Sequence, residues 1–166
     1  TVAPALRVGY LVAKRDFLTR ALSYKTDAGS GALEQLVLAE FCNRQFDSHV
    51  EKLSAHLARK ADIICSAIDK YFGASAEYSR PMGGIFIWVK LPQTVDTKRL
   101  AEVAGAHGVS INPGVEWSSA ADASQHMRLC FGYPDAATID EGVKRLAKIC
   151  QTEFGLPSQI ANQKEV

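Results

Sequence analysis

Long hydrophobic runs and an excess of charge are both missing from the sequence. No stretch of about 18 consecutive apolar residues occurs, so no membrane-spanning helix is predicted. Lys and Arg total 19 and Asp and Glu total 18, which leaves a formal net charge of +1. Such a close balance gives no electrostatic reason to expect nucleic acid or an acidic membrane surface as a partner.

Paired cysteines and clustered histidines are also missing. The four cysteines are widely spaced and form no CxxC pair, and the four histidines are scattered. These patterns predict no metal site, no disulfide framework and no Cys/His or Ser/His/Asp arrangement. We interpret the cysteines as small core residues in a reducing compartment, which we expect to be the cytoplasm.

One predicted strand, residues 126–132 (HMRLCFG), carries a cation at its centre. Strand alternation places Arg128 and Cys130 on one side and the large apolar side chains on the other. A guanidinium stays charged and is costly to bury without a partner. Arg128 therefore either lies on the solvent face of an edge strand, or binds the carboxylate of a small ligand through two parallel hydrogen bonds.

The first part of the chain predicts one strand followed by short helices. The apolar run at residues 6–13 is typical of a central strand in a sheet. Asp16 suits the N-cap of a short helix, and a second helix is predicted over about residues 32–46. Because the chain begins at Thr1 rather than at Met and enters a central-strand pattern at once, we expect it to be the second half of a longer protein.

The longest predicted element begins with a capping box. Ser48 suits the N-cap and Glu51 follows three residues later, so each side chain can bind the other's backbone N–H. From Val50 to Phe72, apolar residues recur at steps of three and four, which predicts one long amphipathic helix.

The remaining sequence predicts a compact α+β lobe over residues 73–154. Four strands are expected, over residues 76–79, 85–91, 109–111 and 126–132. Asp96 or Thr97 caps one helix, which Gly108 ends, and Asp135 begins the last helix. Gly142 within that last helix suggests tight packing against a strand. The long helix would connect this lobe to a second one, and ligand sites commonly lie between two lobes. This arrangement favours the carboxylate interpretation of Arg128.

Four motifs in order resemble the C-terminal half of a fold type I, PLP-dependent aminotransferase. The motifs are TVAPALRVGY (residues 1–10), RPMGGIFIW (80–88), NPG (112–114), and MRL (127–129) followed by EGV (141–143). The subgroup that these motifs resemble contains 2-aminoadipate and aromatic aminotransferases and the aminotransferase-like domains of MocR-type regulators. The resemblance implies an α+β small domain, a sheet with helices on one face, plus a long interdomain helix and the last strand of the large α/β domain.

The resemblance also implies a division into segments. Residues 1–30 would be a remnant of the large PLP-binding domain, 31–72 the linking helices, 73–154 the small domain and 155–166 a tail. The parent would be a cytoplasmic homodimer that acts on an amino acid and a 2-oxo acid.

Two arginines acquire roles from the resemblance. Arg7 matches the arginine that contacts the phosphate of pyridoxal 5'-phosphate (PLP), and Arg128 matches the one that binds the substrate α-carboxylate. The lysine that forms the Schiff base with PLP would come just before Thr1, and none of the ten lysines matches that position. We therefore assign no catalytic residue within the chain, and we expect the chain alone to be inactive.

Other features of the sequence leave the substrate and the function open. Ala5, Leu57, Asn112 and Trp117 depart from the usual family pattern, and these departures bear on side-chain preference rather than on reaction class. One alternative is the effector-sensing domain of a MocR-type transcription regulator with an upstream DNA-binding domain. Another is a free-standing α+β binding module.

Overall fold

The computed structural model describes residues 2–157, so Thr1 and most of the expected tail, residues 158–166, lie outside the described part. The chain divides into two compact units, Thr1–Leu53 and Ser54–Val166. The helices and strands, in chain order, are α1 (Arg15–Leu22), α2 (Ala32–Tyr71), β1 (Glu77–Tyr78), β2 (Phe86–Lys90), α3 (Thr97–Ala106), β3 (Asn112–Pro113), β4 (His126–Cys130) and α4 (Ala136–Phe154).

The first unit contains helices but no strand among its described residues. A short 3₁₀ turn at Pro4–Leu6 ends at Arg7, and residues 7–14 have no regular structure. The strand predicted over residues 6–13 is therefore wrong for this structure. A strand is stabilised by hydrogen bonds to a neighbouring strand, and no strand of the described chain pairs with this segment. Its large side chains lie in solvent, with Tyr10 93% exposed.

Of the three helix starts predicted for this unit, the one at about residue 32 is confirmed, since α2 begins at Ala32. The other two differ from the structure. Helix α1 has Lys14 at its N-cap and carries Asp16 within its first turn. A carboxylate at this position interacts favourably with the helix dipole. Helix α2 runs unbroken for 40 residues, so the break and the capping box at Ser48 are wrong. The Ser48 hydroxyl instead donates to the carbonyl of Gln45 at 3.2 Å, a bond that satisfies a serine within a helix.

The second unit is built on a four-stranded antiparallel sheet with the order β1-β2-β4-β3. Strand β4 lies between β2 and β3, so Arg128 is not on an edge strand, and that alternative is wrong. In register, Arg128 lies opposite Trp88 on one side and Asn112 on the other. The predicted strand at residues 109–111 forms later, at Asn112–Pro113.

One face of the sheet is covered by helices, as the α+β prediction requires. The strands contribute Ile87, Val89, Met127 and Leu129 to this face, and all four side chains are buried. They form one hydrophobic core with residues of α2, α3 and α4. Because side chains alternate along a strand, Phe86, Trp88 and Arg128 lie on the opposite, open face.

Helix ends in the second unit follow the predicted capping chemistry. The Asp96 carboxylate accepts hydrogen bonds from the backbone of Lys98 at 2.8 Å and Arg99 at 3.2 Å. Asp135 caps α4 in the same way, by accepting from the Thr138 backbone N–H at 2.8 Å. The tight packing predicted at Gly142 is wrong, since a Cβ built there would meet no atom within 4 Å.

Candidate carboxylate-binding site

The Arg128 guanidinium lies between two aromatic rings on the open face of the sheet. Its Cζ atom is 3.3 Å from the Trp117 ring centroid and 3.9 Å from the Phe86 ring centroid. Two rings cannot occupy the same face of a guanidinium at these distances, so the cation is sandwiched. The side chain is therefore partly buried and held in one plane, rather than extended into open water.

Polar contacts to Arg128 are few. Its Nη2 donates to the Asn112 side-chain Oδ1 at 3.3 Å. The Nε atom is buried and has no hydrogen-bond partner. No ion pair of residues 2–157 involves Arg128. A fixed cation without a counter-ion among the described residues suits a site for an external anion.

His126, the first residue of β4, is held in place by contacts with neighbouring residues. The His126 ring stacks on Trp88, with centroids 5.3 Å apart and an interplanar angle of 18°. Its Nδ1 donates to the backbone carbonyl of Asp122 at 2.9 Å, because a carbonyl can only accept. Lys90 binds the Asp122 carboxylate at 2.9 Å, and this hydrogen bond lowers the pKa of Asp122 and raises the pKa of Lys90.

The turn that follows the other end of β4 is held by hydrogen bonds from a buried lysine. Lys60 of α2 donates through Nζ to the backbone carbonyls of Gly132 at 2.8 Å and Tyr133 at 3.3 Å. These bonds position the turn between β4 and α4. The strand that carries Arg128 is thereby held at both ends, which makes it a rigid support for a binding group.

A pocket of about 410 Å³ adjoins this strand within the second unit. Its lining residues include Ser110, Asn112 and Arg128, together with apolar residues of helix α4 such as Ile139 and Val143. The two rings that cover the guanidinium, Trp117 and Phe86, do not line this pocket.

Arg7, the other arginine singled out from the sequence, belongs to the first unit, whereas Arg128 belongs to the second. Its side chain is exposed, and its backbone adopts a left-handed conformation with φ of 54°. Arg7 takes part in no ion pair of the described residues. It is therefore a cation available to a phosphate.

Sequence reasoning identified Arg128 but not the residues that hold it. Trp117 lies in an irregular segment after a 3₁₀ turn, where no periodicity indicates a direction for the ring. Asn112 stands out in the sequence only as a departure from the family pattern. Phe86 had a usable signal, since it shares a face with Trp88 by strand alternation.

Comparison with known proteins relates residues 2–146 to the family model for aminotransferase class I and II. An uncharacterized aminotransferase of Saccharolobus solfataricus is 31% identical over 156 residues, which cover 92% of this chain and 39% of that protein. The HTH-type transcriptional regulator YdfD of Bacillus subtilis is 30% identical over 149 residues, covering 88% of this chain and 30% of the regulator.

A solved structure, the alpha-aminoadipate aminotransferase LysN of Thermus thermophilus, superimposes with a TM-score of 0.81 at 27% identity. The match covers 93% of this chain and 40% of that one. The chain thus spans about two fifths of the length of the aminotransferases that it matches. No helix of residues 2–157 is long and apolar enough to cross a membrane.

Proposed function

The chain belongs to the class I and II aminotransferases, and from that premise we propose that it is the C-terminal part of a PLP-dependent enzyme. The full-length protein would transfer an amino group between an amino acid and a 2-oxo acid. Residues 1–30 would complete the large domain, 31–72 would link the domains and 73–154 would form the small domain. We expect the full-length protein to be a cytoplasmic homodimer.

The observation that supports this proposal is the state of Arg128. It is a cation without an ion-pair partner among the described residues, held flat between two rings on a strand that is fastened at both ends. A planar carboxylate matches such a fork through two parallel hydrogen bonds. Binding the substrate carboxylate there would orient the Cα–H bond of the amino acid, which lowers the entropic part of the barrier.

Arg7 would hold the cofactor, because an exposed cation without an ion pair among the described residues suits the phosphate dianion of PLP. When bound, PLP supplies an electron sink for the charge that develops at Cα. None of the ten lysines of this chain matches the family position of the Schiff-base lysine. The chain alone should therefore bind carboxylates but should not transaminate.

The test is the substitution Arg128→Ala in the full-length protein. We expect amino-acid binding to weaken by about 100-fold, the equivalent of roughly 3 kcal/mol for a lost pair of charge-assisted hydrogen bonds. PLP content, read from its visible absorbance, should be unchanged. Arg7→Ala should show the reverse pattern, with PLP lost first.

A matched control for both variants is Arg145→Ala, which removes an arginine whose visible task is an exposed i,i+4 ion pair with Glu141 at 2.7 Å. This control should retain both amino-acid affinity and PLP. Unchanged turnover of Arg128→Ala would contradict the assigned role of Arg128.

A second candidate function is supported by the relative YdfD, which is described as an HTH-type transcriptional regulator. In that case the same lobe would sense an amino acid or PLP, and a DNA-binding domain would lie elsewhere in the full-length protein. Specific DNA binding by the full-length protein without measurable transamination would decide for the regulator.

A further inference from the structure

We propose that Asn112 and Trp117 are positioning residues that fix the orientation in which Arg128 meets a carboxylate. This inference rests on the proposed function, since it concerns the arginine assigned to the substrate carboxylate.

Trp117 and Phe86 restrict rotation of the guanidinium out of its plane. With one centroid 3.3 Å and the other 3.9 Å from Cζ, a rotation about the side chain would drive a nitrogen into a ring. The gap between the rings is therefore a slot that admits the guanidinium in one plane. A carboxylate that binds in the same plane keeps both hydrogen bonds linear.

Asn112 determines which edge of the guanidinium is used by the protein. It lies on β3 directly opposite Arg128, and its amide oxygen accepts from Nη2 at 3.3 Å. A guanidinium can only donate, so the oxygen rather than the amide nitrogen must face it. An apolar residue at position 112 would leave that nitrogen without this partner and the guanidinium free to slide in its slot.

The remaining donors point to one approach for the ligand. The Nε atom is buried and lies out of reach of a ligand. Nη1 makes no hydrogen bond with residues 2–157, yet it is not among their buried atoms without a partner, so solvent reaches it. Nη2 carries two N–H groups and uses one. The carboxylate would therefore bind the outer edge formed by Nη1 and the second N–H of Nη2.

The experiment uses the 166-residue chain labelled with ¹⁵N, and follows the Arg128 side-chain N–H signals during titration with sodium acetate. Sodium chloride at equal ionic strength is the blank, methanesulfonate is the tetrahedral comparison, and Arg128→Lys identifies the signals. Acetate should shift the Arg128 signals with saturation. Methanesulfonate should shift them less, because its sulfur is tetrahedral: when two oxygens lie in the guanidinium plane, the third oxygen and the methyl group project out of that plane toward the rings.

The variants are Asn112→Leu, Trp117→Leu and Trp117→Phe, with Tyr24→Leu as the control for loss of an aromatic ring that does not contact Arg128. Asn112→Leu and Trp117→Leu should each weaken acetate binding by about fivefold or more, the low end for a contact to a charged group. Both should also speed rotation of the guanidinium, which is seen as averaging of its Nη signals. Trp117→Phe preserves a ring over the cation and should stay within about twofold of the original chain.

Tyr24→Leu should leave acetate binding unchanged, because the Tyr24 side chain is 86% exposed and belongs to the first unit rather than to the sheet that carries Arg128. Backbone amide spectra check that each variant is folded. If Trp117→Leu does not fold, Asn112→Leu alone tests the inference. Equal acetate affinity and equal guanidinium rotation in Asn112→Leu would overturn the inference, as would the absence of an acetate-specific shift at Arg128. The proposed function fails separately, if the full-length protein with these residues intact does not transaminate.

Discussion

At the scale of single residues, Gly114 lies where the backbone leaves no room for a side chain. A Cβ at this position would be 2.3 Å from the Ala123 carbonyl oxygen and 2.7 Å from the His126 carbonyl oxygen. Both neighbours are backbone atoms, so relief would require movement of the segment that leads into β4.

We therefore expect Gly114→Ala to lower the free energy of unfolding by about 1–3 kcal/mol, as overpacking does. Gly142→Ala is the matched control, since its Cβ would meet nothing within 4 Å in the interior of α4. That change should stabilise the chain by about 0.5–1 kcal/mol through helix propensity. Urea denaturation followed by circular dichroism measures both, and equal midpoints for the two variants would contradict the packing argument.

Some residues of the site could be predicted from their own strand pattern, and others depend on contacts between separate segments of the chain. Strand alternation alone placed Arg128 on the face opposite Met127 and Leu129, and the structure agrees. The contacts of Trp117 and Asn112 with that arginine depend on how an irregular segment and a two-residue strand return to the sheet. Such contacts join residues far apart in sequence and have no periodicity, so sequence reasoning could not find them.

At the scale of elements, two predicted N-caps are confirmed, and each of these helices follows a loop. The two capping residues are Asp96 and Asp135. Ser48 and Glu51 have the same pattern but lie within α2, because no glycine or proline interrupts the chain there. A capping box therefore predicts a helix start only where the preceding residues leave the helix, which is a property of tertiary packing.

The Asp135 cap should contribute stability that depends on pH. The backbone N–H of Thr138 donates to this carboxylate and lowers its pKa from the ordinary 3.8. Stability from a lowered carboxyl pKa is fully present above the unfolded value, and is lost as the pH falls through the folded value. The loss therefore lies in the acid range below about pH 4.

Asp135→Asn should flatten that acid dependence, because asparagine can cap a helix without titrating. The measurement is the thermal midpoint at several pH values between neutral and about pH 3, compared with the original chain. Asp47→Asn, on the exposed surface of α2, controls for the loss of one charge. An acid slope for Asp135→Asn equal to that of the original chain would count against the cap as its source.

At the scale of the whole molecule, the two units differ in how much they bury. All the residues of the hydrophobic core belong to the unit Ser54–Val166. Among the described residues of Thr1–Leu53, none is buried, and Leu33 and Leu36 of α2 are 70% and 68% exposed. The α+β fold of the second unit could be predicted because its own strands and helices bury one another. The strand predicted over residues 6–13 is not formed, because a strand needs a hydrogen-bonding neighbour and no described strand pairs with this segment.

We expect the 166-residue chain to self-associate through the apolar residues of its first unit, since large exposed apolar surfaces mediate association. Sedimentation velocity should show a weight-average mass that rises with concentration. Leu36→Glu should reduce that rise, whereas Gln45→Glu, which adds the same charge at an exposed polar position of α2, should not. A concentration-independent monomer for the original chain would contradict this expectation.

The position of the tryptophans offers a built-in probe of the open sheet face. The chain contains only two, Trp88 and Trp117, and one ring stacks on His126 while the other covers Arg128. Excitation at the long-wavelength edge of the absorption band excites tryptophan but not tyrosine. The emission therefore comes only from the two tryptophans on this face. A spectral shift on anion entry can thus be followed in the natural chain, without attaching a dye.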